Sequence, residues 1–503
     1  MIKRTAWFRG LAAVASLALV SVALLSCGGG GDGGEDLTPS ARTACASGDN
    51  PETGLQGQST LAERMGGSSA KGINCNLELM GQFKGEGAYH AQTWIDDCSY
   101  YSTANGAQQQ HPGVAVIDVA DPTKPTATAY LNARSMLQTW ESLKISTARH
   151  LIAAVQSDGG NGVDPGFAVY DVTNCRQPSL RASVNLPIPP GTTIKGHAGA
   201  ISPDGRTYYG STFPVSLYII DITDPTQPQL MTNWVPPDGV GQPHDLSISR
   251  DNNRAYILQP ASGAVKQNGL VVLDVSDFNL RKPNPQVRVV STLYWNAGTG
   301  MTSEPITVKG KPYLLVSDES QAGSRPAACT NGTALFGYGR LIDISDEKHP
   351  FVVSELKLEV DDPKNCEKLA NDPAFLGSFG YSAHYCTADN RDDAQLVACS
   401  RHEAGIRVYT IADPKSPIEI AYYKPPIHTG ENIAGSGING TTSRTYDWNK
   451  SHSRFLSRNG NIELWTTSAD NGFQVLKFAP SLTSRYPGLF DKVPASLATV
   501  TVP

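Results

Sequence analysis

The sequence predicts an all-β fold, a seven-bladed β-propeller with four-stranded blades, and three observations lead to that prediction. One motif, a β-branched strand that ends in a turn, recurs seven times along the chain. Each copy lies within a pattern of four short strands, which is typical of a propeller blade. The composition agrees, because the chain has 48 glycines, 34 prolines and only 17% charged residues. Dense turns and closely packed strands have this composition, and helix bundles do not.

The repeated strand is recognised by the residue that closes it. These anchor residues are Asp118, Asp171, Asp221, Asp274, Asp343, Thr410 and Lys477. In five copies a proline follows seven residues later, at Pro125, Pro178, Pro228, Pro350 and Pro417. An aspartate can cap the turn that follows its own strand, and proline then fixes φ where the next strand begins. The constant offset indicates one structural unit that is repeated.

The other strands of each unit surround the anchor strand. Upstream lies a pair of strands around a polar turn, as in 197–211 and 244–258, and downstream lies a fourth strand, as in 126–131. The last copy, which ends near Phe478, lacks a fourth strand, whereas Asn76–Phe83 resembles a fourth strand without a blade. We therefore expect this N-terminal strand to close the last blade and remove an exposed edge. An open β-solenoid is the competing fold and would not need this split blade.

The best-preserved copy, SLYIIDITDPTQP from Ser216, resembles the LVIVD repeat. The chain is similar in this respect to bacterial and archaeal surface and secreted proteins, over about residues 76–480. The resemblance implies a propeller and no single activity.

The N-terminus has the features of a bacterial export signal. The basic residues Lys3, Arg4 and Arg9 precede an apolar run over 11–25, too short to span a bilayer but suited to a signal peptide. The run ends in Leu-Leu-Ser-Cys at 24–27, which resembles a lipobox and implies lipidation of Cys27. The competing interpretation is an ordinary secretory signal with a chance cysteine. Gly28 follows the cysteine, which by the same resemblance favours the outer membrane or the cell surface.

These signals divide the chain into four parts. We predict a lipoprotein signal peptide at 1–26, a lipidated cysteine with a flexible tether (28–40) and an N-terminal segment at 27–75, the propeller at 76–480 and a tail at 481–503. The formal net charge of −6 becomes −9 without residues 1–26, because 38 basic residues then face 47 acidic ones. Such a surface gives no reason to expect nucleic-acid binding. We expect a monomeric propeller that is held at a membrane by lipid.

Cysteine usage fits an oxidising compartment. Nine cysteines less Cys27 leave eight, an even number, and we expect disulfides. Cys386 and Cys399, expected on adjacent strands of a hairpin, are the first predicted pair, and Cys329 and Cys366, in two insertions, are the second. The sequence does not decide how Cys45, Cys75, Cys98 and Cys175 pair. No C-x-x-C spacing occurs, which argues against a thiolate zinc site.

The first strand of each blade lines the central channel of a propeller, so the residues that open these strands should meet at one mouth of the channel. In blade order they are His90, Glu141, His197, His244, Glu304, His384 and Arg444. We interpret the remaining histidines as surface or turn residues: His111, His150, His349, His402, His428 and His452.

Four imidazoles and two carboxylates on one axis point to a transition-metal site, with Fe, Cu, Zn or Mn as candidate ions. Glu141, Glu304 or the neighbouring Asp245 could orient ligands or act as a base, and Arg444 would favour an anionic substrate. A solvated polar channel without a metal is compatible with the same residues. The sequence therefore leaves two functions open. One is an envelope protein with an axial metal or small-ligand site, including the case of a metal-dependent enzyme, and the other is a non-catalytic surface scaffold for protein or glycan ligands.

Overall fold

The computed structural model describes residues 37–65, 71–104, 110–157, 166–188, 192–212, 215–261, 265, 267–296, 298–320, 324–377, 379–427, 433–434, 436 and 447–496. Seven four-stranded antiparallel blades form a ring, so the predicted seven-bladed β-propeller is confirmed. The signal peptide and Cys27 lie outside the described residues. No helix in the described part of the chain is long and apolar enough to cross a membrane.

The elements ahead of the first blade are β1 (Ala41–Arg42), α1 (Leu61–Met65), β2 (Ile73–Cys75) and β3 (Leu77–Phe83). Blade 1 contains β4 (Gln92–Ile95), β5 (Cys98–Ser102), β6 (Val114–Asp118) and β7 (Thr126–Leu131). Blade 2 contains β8 (Lys144–Ser146), β9 (Leu151–Val155), β10 (Phe167–Asp171) and β11 (Ser179–Val184). A hairpin of β12 (Pro187–Ile188) and β13 (Thr192–Thr193) follows.

Blade 3 contains β14 (Gly199–Ile201), β15 (Thr207–Thr212), β16 (Ser216–Asp221) and β17 (Gln229–Trp234). Blade 4 contains β18 (Leu246–Ile248), β19 (Arg254–Gln259), β20 (Asn268–Asp274) and β21 (Arg288–Trp295), with α2 (Ser276–Asn279) before its last strand. Blade 5 contains β22 (Gly300–Val308), β23 (Lys311–Asp318), β24 (Gly339–Asp343) and β25 (Phe351–Leu356), with α3 (Arg325–Asn331) inserted.

The insertion that follows blade 5 carries α4 (Cys366–Leu369) and α5 (Pro373–Leu376). Blade 6 contains β26 (Ala383–Ala388), β27 (Leu396–Arg401), β28 (Gly405–Thr410) and β29 (Ile418–Lys424). Blade 7 contains β30 (Arg454–Arg458), β31 (Asn461–Ser468) and β32 (Gly472–Phe478), and α6 (Pro480–Arg485) follows it. Short 3₁₀ turns occupy Arg134–Met136, Glu359–Asp361 and Pro363–Asn365.

The N-terminal strand closes the ring as predicted. β3 pairs antiparallel with β32, in a register that runs from Leu77 opposite Phe478 to Phe83 opposite Phe473. Leu77 is completely buried among residues of blades 6 and 7. The first ordered strand of the propeller therefore completes the last blade, which leaves no unpaired edge at the seam.

The anchor aspartates act as the repeat predicts. Asp118, Asp171 and Asp221 each end the third strand of a blade and accept a hydrogen bond from the backbone N–H two residues later, over 3.0, 2.8 and 2.8 Å. Asp274 and Asp343 make the same bond. Each carboxylate thus stabilises the turn that leads to the outer strand of its blade.

The third strands are apolar on both faces because each blade is packed between two others. In β16, Leu217 and Ile219 pack against blade 4, whereas Tyr218 and Ile220 pack against blade 2. Side chains alternate between the two faces of a strand, so a continuous apolar run serves two interfaces. Seven such clusters, one for each pair of neighbouring blades, make up the core of the ring.

The compact fold extends beyond the predicted limits of 76–480. β1 and β2 both pair with β29, so residues 41–42 and 73–75 of the N-terminal segment between the tether and the propeller add to the outer edge of blade 6. In the predicted tail, Leu482 and Phe490 are buried against blades 6 and 7. Of the tether predicted at 28–40, the structure describes only residues 37–40.

The eight cysteines of the described chain form four disulfides. Cys386 pairs with Cys399 and Cys329 with Cys366, as the sequence predicts. The two pairings that the sequence left open are Cys45 with Cys75, and Cys98 with Cys175. The second of these joins blade 1 to the turn that follows the third strand of blade 2.

Candidate metal centre

Five of the side chains that the sequence places at the channel mouth meet there in the structure: His90, Glu141, His197, His244 and His384. All but His384 precede the first strand of their blade by two or three residues, and His384 is the second residue of β26. The first strands of successive blades contact one another around the axis. The side chains at their ends therefore converge on one point.

Hydrogen bonds between blades fix the backbone at these positions. Ser317 Oγ, on the second strand of blade 5, donates to the carbonyl oxygen of His384 in blade 6 over 2.6 Å. Ser211 Oγ of blade 3 donates in the same way to the carbonyl oxygen of His244 in blade 4. Glu141 N–H donates to His197 O over 3.0 Å. Each position is thus held by the neighbouring blade, which limits how far its side chain can move away from the axis.

The ligand atoms of five side chains form a closed ring, here named the axial ring: Glu141, His197, His244, Glu319 and His384. Successive contacts around it measure 3.3 Å (Glu141 Oε2 to His197 Nε2), 2.9 Å (His197 Nε2 to His244 Nε2), 3.7 Å (His244 Nε2 to Glu319 Oε1), 3.6 Å (Glu319 Oε2 to His384 Nε2) and 3.4 Å (His384 Nε2 to Glu141 Oε1). Ligands bound to one metal ion at about 2.0–2.1 Å lie about 2.9 Å apart in octahedral and about 3.3 Å apart in tetrahedral geometry. The three contacts among Glu141, His197, His244 and His384 have about the spacing of a coordination sphere, and the two contacts of Glu319 are longer.

Backbone carbonyls define which nitrogen faces the axis. His244 Nδ1 lies 2.7 Å from Gly300 O, and His384 Nδ1 lies 2.6 Å from Lys450 O. A carbonyl oxygen only accepts, so Nδ1 carries the hydrogen in both residues. In the neutral imidazole, Nε2 then presents a lone pair to the axis. Metal-bound histidines are commonly oriented by this kind of bond from the second nitrogen.

Without a metal, a proton takes the position between His384 and the carboxylates. Burial lowers the pKa of His384, but hydrogen bonds to Glu141 and Glu319 outweigh burial and raise it to about 9. Burial also opposes the charged form of His197, yet its pKa is raised because Glu141 lies beside it. Burial alone would raise the pKa of Glu141, but His197 and His384 hold it well below its ordinary value. The centre therefore stabilises positive charge between its two carboxylates.

Two further histidines flank the axial ring without belonging to it. His90 Nδ1 lies 3.8 Å from Glu141 Oε1, and the ring centre of His402 lies 5.2 Å from that of His384. Both side chains are buried. Among the described residues, the two ring nitrogens of His90 have no hydrogen-bond partner, and Nε2 of His402 has none either. Burial is the main reason that the pKa of each lies well below its ordinary value, so both rings are neutral.

Aromatic side chains form a wall beside the ring. The Trp140 indole lies 4.6 Å from the His90 ring, 5.7 Å from His197 and 5.1 Å from Tyr89, between ring centres. Trp140 has a φ of +49°, a left-handed conformation that is strained for a bulky residue and that often occurs at functional sites. The side chains of His197 and Glu319 are 19% and 18% exposed, so the centre is not fully closed to solvent.

A second layer of polar groups lies next to the ring. Asp245 accepts a hydrogen bond from Leu246 N–H over 2.7 Å, and its Oδ2 lies 3.8 Å from Lys144 Nζ. Burial raises the pKa of Asp245, and Lys144 only partly offsets this effect. Lys144 Nζ also lies 5.8 Å from the centre of the Tyr385 ring. These residues give the centre a polar neighbour that can donate and accept protons.

Glu304, predicted for the ring, lies elsewhere. Its carboxylate accepts hydrogen bonds from Ala388 N–H over 2.9 Å and from Arg391 Nε over 2.6 Å. The register of β22 shifts between Gly300 and Thr302, just as that of β26 shifts around His384. Met301 therefore occupies the position in blade 5 that His384 occupies in blade 6. The predicted register was wrong by three residues.

The predicted opening residue of blade 7 was also wrong. Arg444 lies outside the described residues, and the first strand of this blade begins only at Arg454. Ser400 Oγ donates to Ser451 O over 2.6 Å, the same bond that holds His384. Ser451 is therefore the equivalent residue. The preceding Lys450 places its Nζ 4.7 Å from the centre of the Tyr89 ring.

Glu319 and His402 were missed by the sequence reasoning, and the prediction that His402 is a surface or turn residue was wrong. Both follow the second strand of a blade, in the tripeptides Ser317-Asp318-Glu319 and Ser400-Arg401-His402. The serine in each tripeptide makes the bond to the next blade described above. A polar residue two positions after this serine is the signal that would have found them.

One other group of ligand types lies within metal-binding distance, namely Cys45, Asp49 and Cys75. Its two cysteines are joined in a disulfide, so this group does not offer thiolates to a metal.

One known repeat family matches part of the chain. The family model of the LVIVD repeat matches residues 211–235 and 253–279, the outer strands of blade 3 and much of blade 4. No curated protein matches the sequence. Among solved structures, a chain of Kuenenia stuttgartiensis hydrazine synthase is similar over 80% of this chain and 97% of that chain, at 11% identity and a TM-score of 0.48. The protein is thus a seven-bladed β-propeller that carries LVIVD repeats and has a cluster of histidines and glutamates on its axis.

Proposed function

We propose that the protein is a metal-dependent enzyme of the cell envelope, with at least one first-row transition-metal ion bound in the axial ring. The observation that carries the proposal is the ring itself. Three imidazole nitrogens and two carboxylates lie 2.9–3.7 Å from their neighbours. Two of the imidazoles are turned toward the axis by backbone carbonyls.

A solvated polar channel is the alternative. In such a channel His197 Nε2–H would donate to His244 Nε2 over 2.9 Å, and a proton on His384 Nε2 would pair with two carboxylates. A divalent cation can replace these protons, and the gathering of imidazole and carboxylate donors around one point favours it. The donor set of imidazole and carboxylate suits Fe, Mn, Zn or Cu, and no thiolate is present to favour a softer ion.

Partial exposure favours catalysis over a structural role. Structural metal sites are closed, whereas catalytic sites keep a position for water or substrate. In this centre the side chains of Glu319 and His197 are partly exposed, and Trp140 lies beside His197. A bound metal would supply Lewis acidity there and lower the pKa of a bound water. Asp245 and Lys144 are placed to exchange protons near the axis.

Cobalt(II) titration tests this proposal. We expect metal-free protein to bind Co²⁺ with visible absorption bands, and added azide to change these bands because a coordination position is open. His244→Ala should weaken Co²⁺ binding by at least tenfold. His349→Ala is the matched control, because His349 is exposed and contacts only Asp346 among the described residues. No Co²⁺ bands in the wild type would contradict a metal site, and bands indifferent to azide would contradict catalysis.

The envelope location is part of the same proposal. Four disulfides support an oxidising compartment. The lipobox-like segment that ends at Cys27 supports a lipid anchor and a location at the outer membrane or the cell surface. We expect the mature protein to incorporate labelled palmitate in a bacterial host, and Cys27→Ser to abolish the label and release the protein. Equal labelling of wild type and variant would refute the anchor.

A further inference from the structure

We propose that the axial centre holds two metal ions, which Glu141 and Glu319 bridge. The inference rests on the proposed function, because it describes how many ions the same centre takes. It follows from the way in which the two carboxylates divide their oxygens among the histidines.

Each carboxylate oxygen faces a different histidine set. Glu141 Oε1 lies 3.4 Å from His384 Nε2 and 3.8 Å from His90 Nδ1, whereas its Oε2 lies 3.3 Å from His197 Nε2. The two oxygens of Glu319 also face different histidines: Oε2 lies 3.6 Å from His384 Nε2, and Oε1 lies 3.7 Å from His244 Nε2. Both carboxylates therefore point one oxygen at each half of the centre.

The two halves have matching donors. One half contains His90, His384 and one oxygen from each glutamate, and the other contains His197, His244 and the remaining oxygens. Ligand atoms that all lie within 4.8 Å of one another form two groups at the axis, His90 with Glu141 and His384, and Glu141 with His197 and His244; these groups share Glu141, and Glu319 lies just outside both. Opposite ligands of one ion at about 2.0–2.1 Å are at most about 4.2 Å apart. One ion cannot reach all four histidines without moving them.

His90 is the residue that a single ion between His197 and His244 leaves unexplained. It is 4% exposed, and neither ring nitrogen has a hydrogen-bond partner among the described residues. A buried imidazole without partners is costly. A metal ion beside His384 and Glu141 Oε1 would give His90 Nδ1 a partner, which a single ion between His197 and His244 would not.

The two carboxylates supply two negative charges to two divalent ions. The remaining positive charge favours an oxyanion as the exchangeable ligand, bound across both ions on the exposed side. Protein centres with ions about 3.5–4 Å apart use this arrangement to clamp the attacking and leaving oxygens in displacement reactions.

Manganese stoichiometry decides the inference. We expect metal-free protein to bind two Mn²⁺ per chain, by calorimetric titration and elemental analysis. The loaded protein should give the electron paramagnetic resonance spectrum of an exchange-coupled pair. His90→Ala and His197→Ala should each bind about one Mn²⁺ and lose the coupled spectrum, whereas His349→Ala should match the wild type.

The outcomes separate the two proposals. One uncoupled Mn²⁺ per wild-type chain would overturn the pair and leave a mononuclear centre standing. No bound Mn²⁺, Zn²⁺ or Fe²⁺ would overturn both. Two ions in folded His90→Ala would overturn the assignment of His90. If a variant does not fold, which circular dichroism would detect, the wild-type stoichiometry and spectrum still decide whether a pair is present.

Discussion

Glu141→Gln is expected to reduce metal affinity at least a hundredfold. Glu141 contacts three histidines of the centre, at 3.3, 3.4 and 3.8 Å, and it is 1% exposed. Glutamine keeps the shape but removes the charge, and its amide nitrogen cannot bind a cation. Loss of a group that only supports a ligand commonly costs 10–100-fold in affinity, and Glu141 is itself a proposed ligand. Competition with a chelator of known affinity measures the change.

The matched control is Glu304→Gln. Glu304 is also a buried glutamate and lies on the first strand of blade 5, but it contacts Ala388 and Arg391 instead of histidines. It should leave metal affinity unchanged within a factor of about two. Equal losses in the two variants would mean that the effect comes from general damage to the channel, and unchanged affinity in Glu141→Gln would remove this residue from the centre.

Arg407→Met is expected to lower the free energy of unfolding by about 3–5 kcal/mol, the usual cost of breaking a buried charge network. Arg407 is completely buried on β28, with Nη2 2.8 Å from Glu52 Oε2 and Nη1 3.1 Å from Glu419 Oε1. Methionine fills a similar volume but leaves both carboxylates with less positive charge. Lys424, 3.0 Å from Glu52, compensates only one of them.

The loss should depend on pH. Burial raises the pKa of Glu52, but Arg407 and Lys424 outweigh burial and bring it to about 2. A carboxyl group with a lowered pKa contributes stability above its unfolded value, and this contribution disappears as the pH falls toward 2. The destabilisation by Arg407→Met should therefore be largest near neutral pH and smaller near pH 3.

Urea unfolding at several pH values measures this effect. Arg181→Met is the control, because Arg181 pairs with Asp171 on the surface, where an ion pair contributes about 0–1 kcal/mol. Glu52 belongs to the N-terminal segment and Glu419 to β29, so limited proteolysis should also cut the N-terminal segment faster in Arg407→Met. A loss no larger than that of Arg181→Met would contradict a role for this network in stability.

The fold could be predicted because its signals are local. An aspartate such as Asp221 caps a turn within three residues of itself, and a two-sided apolar strand needs neighbours on both faces. Seven copies then imply seven blades. The closure by β3 followed from counting strands, since one blade lacked a strand that another segment supplied.

His197 and His244 were predicted because the first strands of their blades pair without a register shift. His197 and His244 both stand two residues before a short strand, and alignment of the blades finds them. The β-bulge in β22 adds one residue to one side of the ladder and accounts for only part of the three-residue error, since β26 has the same irregularity around the correctly predicted His384. The sequence does not reveal that bulge, and Glu304 was chosen in place of Met301.

Glu319 was missed for a different reason. It comes from the end of a second strand, and its side chain reaches the axis between two blades. A search confined to the first strands could not find it. The same holds for His402, whose burial depends on residues of the following blade and of the insertion after blade 5, such as Trp448 and Phe379.

The metal centre itself is tested most directly by anomalous diffraction from crystals of the protein loaded with Mn²⁺ or Zn²⁺, recorded above and below the absorption edge of the ion. We predict anomalous density on the axis, about 2.0–2.3 Å from His197 Nε2 and His244 Nε2. A second maximum should lie between His90 and His384. An axial ring without anomalous density, in which only water and protons join these side chains, would contradict the proposed function.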